Sequence, residues 1–241
     1  MTTKQRPKAR RILVQEWRDI LFMHWTVPIE QLRPLVPPEL ELDTFEGDTY
    51  IGLIPFTITG ARPVGFPKFP PITSFHDTNL RTYVRHRGGD PGVWLFSLDA
   101  NSVFAVQLAR QFFKLRYHLA KIEMSVTECG GGREIDYAME RVDAEGAGLH
   151  VRYHPIGEAS FAEVGTLEHF LLERYTLYTS DGANLYSGRI RHTPYRIQSA
   201  EAELYSETLI EAGGVARPAT PPLCHYVRGV DVDVFPVQRV K

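Results

Sequence analysis

Two stretches decide the class of fold: Glu134–Glu140, EIDYAME, and Leu149–His154, LHVRYH. In the first, Ile135, Tyr137 and Met139 alternate with Glu134, Asp136, Ala138 and Glu140; in the second, Leu149, Val151 and Tyr153 alternate with His150, Arg152 and His154. Successive side chains leave opposite faces of a pleated strand, so this period of two predicts strands with one buried and one wet face. Val230, Val232 and Val234 repeat the pattern against Asp231 and Asp233. Turn residues fall between such runs at Glu46-Gly47-Asp48, Gly88-Gly89-Asp90-Pro91-Gly92, Gly130-Gly131-Gly132 and Asp181-Gly182, and they predict hairpins. The expected class is mainly β, mostly antiparallel, a barrel or curled sheet with a few peripheral helices.

Those helices are predicted at Pro28–Val36, at Ser102–Phe113, where Val103, Val106, Ala109, Arg110 and Phe113 recur at helical spacing, and at Thr166–Arg174 behind a Thr166 cap. Ser206–Ala212 is a fourth candidate. Gly60–Thr73 holds four prolines but is studded with Val64, Phe66, Phe69 and Ile72, whereas a linker would be polar; it reads as a lid or rim packed over something. With no polar linker and no repeat, the expected organisation is one domain over residues 13–241 behind a flexible basic tail, residues 1–12, containing Lys4, Arg6, Lys8, Arg10 and Arg11.

Composition excludes several functions. A net charge of −2 argues against a dedicated nucleic-acid binder. No apolar run reaches roughly 18 residues and the amino terminus has no secretion-signal pattern, so a cytoplasmic protein with no membrane partner is expected. Cys129 and Cys224 have no neighbours at metal or redox spacing and read as structural thiols. No GxSxG elbow, phosphate loop or dinucleotide motif occurs, so no cofactor is expected. Nor is a metal, because no local motif fixes two ligands, although distant histidines such as His24, His118 and His192 are one conceivable set.

Chemistry is concentrated in SFHDTNLRTYVRH, residues 74–86. As a strand it places Phe75, Asp77, Asn79, Arg81, Tyr83 and Arg85 on one face, and His76, Thr78, Leu80, Thr82 and Val84 on the other. The polar row is either a solvated face or, inside a barrel, a ligand-facing set in which a guanidinium holds a carboxylate. In ARQFFKLRYHLAKIEM, residues 109–124, adjacent Tyr117 and His118 cannot both enter one cavity without a bulge.

Several phrases carry a resemblance along nearly the whole chain: LFMHWTVPIEQLRPLVPPELELDTFEGDTYIGLIPF, FHDTNLRTYV, GVWLFSLDANSVFAVQLAR, LERYTLYT, IRHTPYRIQSAEAEL and VDVDVFP. In these the chain resembles the YqjF-like family of uncharacterised bacterial proteins, placed with the acetoacetate decarboxylase-like superfamily. The resemblance implies a curled sheet or barrel around a central cavity. It implies no reaction, because the YqjF-like branch has no established one; the decarboxylases carry a Gly-Arg-Glu phrase and then a Pro-Lys-Lys phrase that supplies the imine-forming lysine. Here these read Ala109-Arg110-Gln111 and Arg116-Tyr117-His118, and neither Lys114 nor Lys121 occupies the matched position. What carries over is the strand acid Asp77, where relatives generally show Glu, and Arg110.

The expected catalytic set is therefore Asp77, Tyr117 and His118, with Asn79, Arg81, Arg110, His24 and Trp25 contacting substrate. Three functions fit: an enzyme, lyase- or hydrolase-like, acting on an oxo-acid or similar carboxylate without imine chemistry; a non-catalytic barrel that binds a small metabolite; and a partner-binding protein with a vestigial cavity. A small-molecule ligand is the expected partner, and a homo-oligomer is one common way for a β protein to cover its edges.

Overall fold

The structure, a computed structural model, describes residues 9–129 and 132–240. Its strands run β1 Leu13–Val27, β2 Leu40–Leu42, β3 Thr49–Pro63, β4 Phe75–His86, β5 Gly92–Ala100, β6 Tyr117–Cys129 and β7 Gly132–Arg141. They continue with β8 Gly148–Phe161, β9 Thr176–Ser180, β10 Leu185–Arg191, β11 Arg196–Glu207, β12 Leu223–Val234 and β13 Gln238–Arg239. The helices are α1 Ile29–Leu32, α2 Pro70–Thr73, α3 Val103–Phe113, α4 Leu167–Leu172 and α5 Leu209–Ala212. No helix among the described residues is long and apolar enough to cross a membrane.

All the strands join one sheet in the order β13-β10-β9-β5-β6-β7-β8-β11-β12-β1-β3-β4-β2. Extra pairings of β4 with β5 and of β10 with β12 fold that sheet back on itself. The result is a curled sheet rather than a simple barrel, because β13 and β2 remain at its ends. Most pairs are antiparallel, as expected, but β5 pairs in parallel with both β6 and β9. The β5–β6 pair follows from α3, which carries the chain across between them as a parallel connection requires.

The curling makes two cores that share strands. On β1, Leu21, Met23 and Trp25 enter the first core while Ile20 and Phe22 enter the second. On β3, Ile51 and Leu53 enter the first, and Ile54, Phe56 and Ile58 the second. These stretches of β1 and β3 are thus apolar on both faces. The alternating segments of β7 and β8 contribute Ile135, Tyr137, Met139, Leu149, Val151 and Tyr153 to the first core alone, with their polar partners outward.

Asp19 interrupts the alternation of β1. Its φ of 50° lies in the left-handed region that non-glycine residues seldom adopt. Arg133 holds its carboxylate at 2.8 and 2.9 Å, and Tyr226 Oη donates to it at 2.6 Å. Leu13, Gln15 and Trp17 therefore face the same side as Ile20 and Phe22. Gly229 on β12 lies against this break, where a Cβ would stand 2.6 Å from the Trp17 carbonyl oxygen.

The helix caps follow the sequence: the Ala105 N–H donates to Ser102 Oγ at α3, and the His169 N–H to Thr166 Oγ1 at α4. α2 was not expected, and it forms inside Gly60–Thr73. Residues 1–8 of the expected tail lie outside the described residues. Its end is fastened, since Arg11 pairs with Asp233 at 2.6 Å and the Ile12 N–H donates to the Val234 carbonyl.

Candidate functional site

The second core is not filled: it borders a partly open cavity of about 310 Å³. β4 directs Phe75, Asp77, Asn79, Arg81 and Tyr83 toward this side, the face read from its alternation, while Leu80 and Val84 enter the first core. Asn79 and Arg81 line the cavity; Asp77 is fully buried at its edge. The crossover brings in the next group. Asn79 pairs with Leu98 on β5, and Leu98 with Tyr117 on β6, so Tyr117 lies two strands from the polar row and lines the same cavity. Its Oη donates to Asp77 Oδ2 at 2.6 Å. Over this arrangement α3 lays Phe104, Ala105, Leu108, Ala109 and Phe113, and the 60–73 segment adds Ala61, Arg62, Pro63 and Ile72.

Burial sets the electrostatics. Removal from water pushes the Asp77 carboxyl up to about 8, with nearby Asp99 adding to the rise and the Tyr117 hydrogen bond opposing it. The Tyr117 phenol is driven well above its ordinary value by burial and by Asp77, so it stays protonated. Arg81 has no carboxylate within ion-pair distance among the described residues. It donates to the Leu171 carbonyl at 3.1 Å and to Tyr83 Oη at 3.4 Å, and its guanidinium lies 5.5 Å from the Phe22 ring and 5.6 Å from the Tyr83 ring. Asp77 Oδ1, Asn79 Oδ1 and Arg81 Nε are buried without hydrogen-bond partners. Buried polar groups are rarely left so, and these three recur at two-residue spacing on one strand face.

Four expected contacts are corrected. His118 points out of the cavity, as the alternation on β6 demands, and its Nδ1 meets Asp143 at 3.1 Å near the surface. Arg110 stands on a side of α3 turned from the cavity and donates to the Tyr117 carbonyl at 2.8 and 2.5 Å, so it anchors Tyr117's backbone. Trp25 enters the first core, its Nε1 donating to the Thr220 carbonyl. His24 is sealed behind the wall, 2.6 Å from Tyr83 Oη, and burial together with Arg81 holds it well below its usual value.

Other groups were not foreseen. Trp17 lines the cavity because of the break at Asp19; Arg174 does so from beyond α4, paired with Asp43 at 2.6 Å. Tyr195 adds an aromatic wall, edge-on to Phe22. His24, His118 and His192 lie in separate surroundings, and among the described residues no group of three or more His, Cys, Asp or Glu is placed to hold a metal. Lys114 caps α3 with Nζ on the Gln111 carbonyl, Lys121 is exposed on β6 and Lys68 pairs with Glu16. Cys224 is half-buried, which pushes its thiol up to about 12, while the Cys129 side chain lies outside the described residues. A wider open groove of about 780 Å³ runs past Arg11, Glu16, Arg191 and Asp233, whose charges pair with one another or with neighbours.

The chain has solved structural relatives. It superposes on the enduracididine biosynthesis enzyme MppR complexed with pyruvate with a TM-score of 0.66 at 11% identity, covering 99% of this chain and 94% of that one. An acetoacetate decarboxylase from Legionella pneumophila gives a TM-score of 0.65, again at 11% identity, over 100% and 92% of the two chains. These likenesses establish an acetoacetate decarboxylase-like fold. In sequence, the uncharacterized protein YqjF of Bacillus subtilis (strain 168) is 40% identical over 233 residues, 97% of this chain and 94% of that protein. The family model DUF2071, an uncharacterized conserved protein, matches residues 14–231, and the chain therefore belongs to that family, the YqjF-like proteins.

Proposed function

We propose that the cavity binds a small carboxylate-bearing metabolite on Arg81 and Asn79, and that Asp77 and Tyr117 transfer a proton to it. The protein is then an enzyme acting on an oxo-acid or similar carboxylate without an imine-forming lysine. The unpaired Arg81 guanidinium carries this reading. An uncompensated cation in an apolar surround costs several kcal/mol. A carboxylate supplies the missing charge and matches the guanidinium fork with two parallel hydrogen bonds. Because Asp77 titrates at about 8, it holds its proton at neutral pH. Tyr117 Oη, held on Asp77 Oδ2, lines the cavity, and the protonated carboxyl behind it replaces a proton that the phenol passes to a ligand oxygen, which makes the pair a general acid.

The places of Lys68, Lys114 and Lys121 support a route without an imine, since none of them lines the cavity. The pyruvate complex of the structurally similar MppR agrees with a carboxylate ligand. A thermal-shift panel tests the reading, because a ligand of the native state raises the melting temperature whether or not it is consumed. Small carboxylates raise it, their amides do not, and Arg81→Met abolishes the rise. Mass spectrometry of the same incubations detects product. Carboxylate-dependent stabilisation without product identifies a binding protein instead, a reading the largely apolar lining favours. No carboxylate-dependent shift at all overturns the proposal.

A further inference from the structure

We infer that the ligand is an elongated carboxylate with an oxygen function at the end remote from the carboxylate and an aromatic or compact apolar body between, rather than an acid whose carbonyl adjoins its carboxylate. This rests on the carboxylate-binding reading above and narrows it by the spacing of the polar groups. Asp77 and Arg81 are four residues apart on one face of β4, about 13 Å at ~3.3 Å per residue. Arg81 does not lean back to close that gap: its guanidinium reaches onward, to Tyr83 Oη at 3.4 Å and the Leu171 carbonyl at 3.1 Å. At the other end Tyr117 Oη is held on Asp77 at 2.6 Å. One ligand that meets both ends must separate its polar groups by several atoms, whereas a 2-oxo acid has them on adjacent carbons.

The walls between the ends specify the body. Phe22, Ile54, Phe56, Leu98 and Tyr195 line that stretch, with Asn79 Oδ1 the unpartnered acceptor on the strand midway. The cavity of about 310 Å³ lies at the small end of ligand pockets, which run from ~300 to ~1,000 Å³, a size that suits a single ring with a short side arm. An acid of three carbons would leave the apolar walls and one polar end without contact.

Isothermal titration of the full chain with pyruvate, 3-phenylpropanoate and 3-(4-hydroxyphenyl)propanoate tests this. Phenylpropanoate binds at least tenfold more tightly than pyruvate, and the distal hydroxyl adds about tenfold more. In Tyr117→Phe the hydroxyl's advantage disappears while phenylpropanoate binds within twofold of wild type; Asp77→Asn, which removes the group holding Tyr117 in place, diminishes the same advantage and serves if the phenylalanine variant does not fold. Pyruvate binding as tightly as phenylpropanoate, or a hydroxyl gain below twofold, overturns the elongated ligand while Arg81-dependent carboxylate binding stands. Loss of Arg81 dependence for all three acids overturns the carboxylate reading itself.

Discussion

The two cores share five strands, and the strand-borne charges set into them are served differently. On the filled side of β5, Arg141 binds Asp99 at 2.5 and 3.0 Å and Ser97 at 2.6 Å, all three buried. Asp19 is likewise ringed by Arg133, Tyr226 and the Tyr153 hydroxyl. On the hollow side, the strand row of Asp77, Asn79 and Arg81 has one unmet atom at each position. Satisfied networks fix a structure, and partly satisfied ones are expensive unless something else completes them. On the proposed reading, the first core is architecture and the second is the half that takes a ligand.

The largest effect should come from breaking the filled side. Asp99→Ala strands the Arg141 charge and is expected to lower stability by about 3–5 kcal/mol in urea unfolding. Arg81→Met, which removes a half-buried charge with no ion-pair partner, should cost no stability and raise it by up to a few kcal/mol while abolishing carboxylate-induced shifts. Equal losses at the two positions would erase the contrast between the cores.

Acid chemistry sharpens it further. The folded-state pKa of Asp77 is raised from 3.8 to about 8. Below pH ~4 both folded and unfolded chains hold this proton; as pH rises from there to about 8 only the unfolded chain releases it, so the Asp77 contribution to stability falls and then levels off. Asp77→Asn should therefore gain on wild type progressively between pH 4 and 8, on the order of a few kcal/mol over the window, in unfolding curves taken across that range. A difference that stays flat from pH 5 to 9 would place the Asp77 titration elsewhere. Tyr226→Phe, which removes one of the Asp19 ligands on the filled side, should cost about 1–3 kcal/mol. The smallest effect is expected at His118→Gln, within about 0.5 kcal/mol in stability and with unchanged carboxylate affinity by titration, because His118 faces Asp143 rather than the cavity.

The contrast also explains what was legible in the sequence. Period two on β4 and β6 placed Asp77, Asn79 and Arg81 on one face and separated Tyr117 from His118, since alternation is set by backbone geometry alone. It failed where strands are shared. Around Leu21–Trp25 both faces are apolar, so nothing local says which core Trp25 enters. The reversal at Asp19 needs Arg133, from 114 residues away, to hold it, and it is that reversal which turns Trp17 into the cavity. A second slip, on β5 between Leu95 and Leu98, puts both of those leucines on the cavity side. Arg174 arrives through its pairing with Asp43, 131 positions distant. Arg110 matched the family in position, but the turn of α3 aims it at the Tyr117 carbonyl. Such tertiary choices leave no periodic trace.

Whether Arg81 awaits an anion inside the hollow core is decided by a crystal structure of the chain with 3-(4-hydroxyphenyl)propanoate. The predicted result is a carboxylate with both oxygens within hydrogen-bond distance of the Arg81 guanidinium and the ring between Phe22 and Leu98. The acid bound instead in the open groove beside Arg191, with Arg81 unmoved on the Leu171 carbonyl, would contradict it.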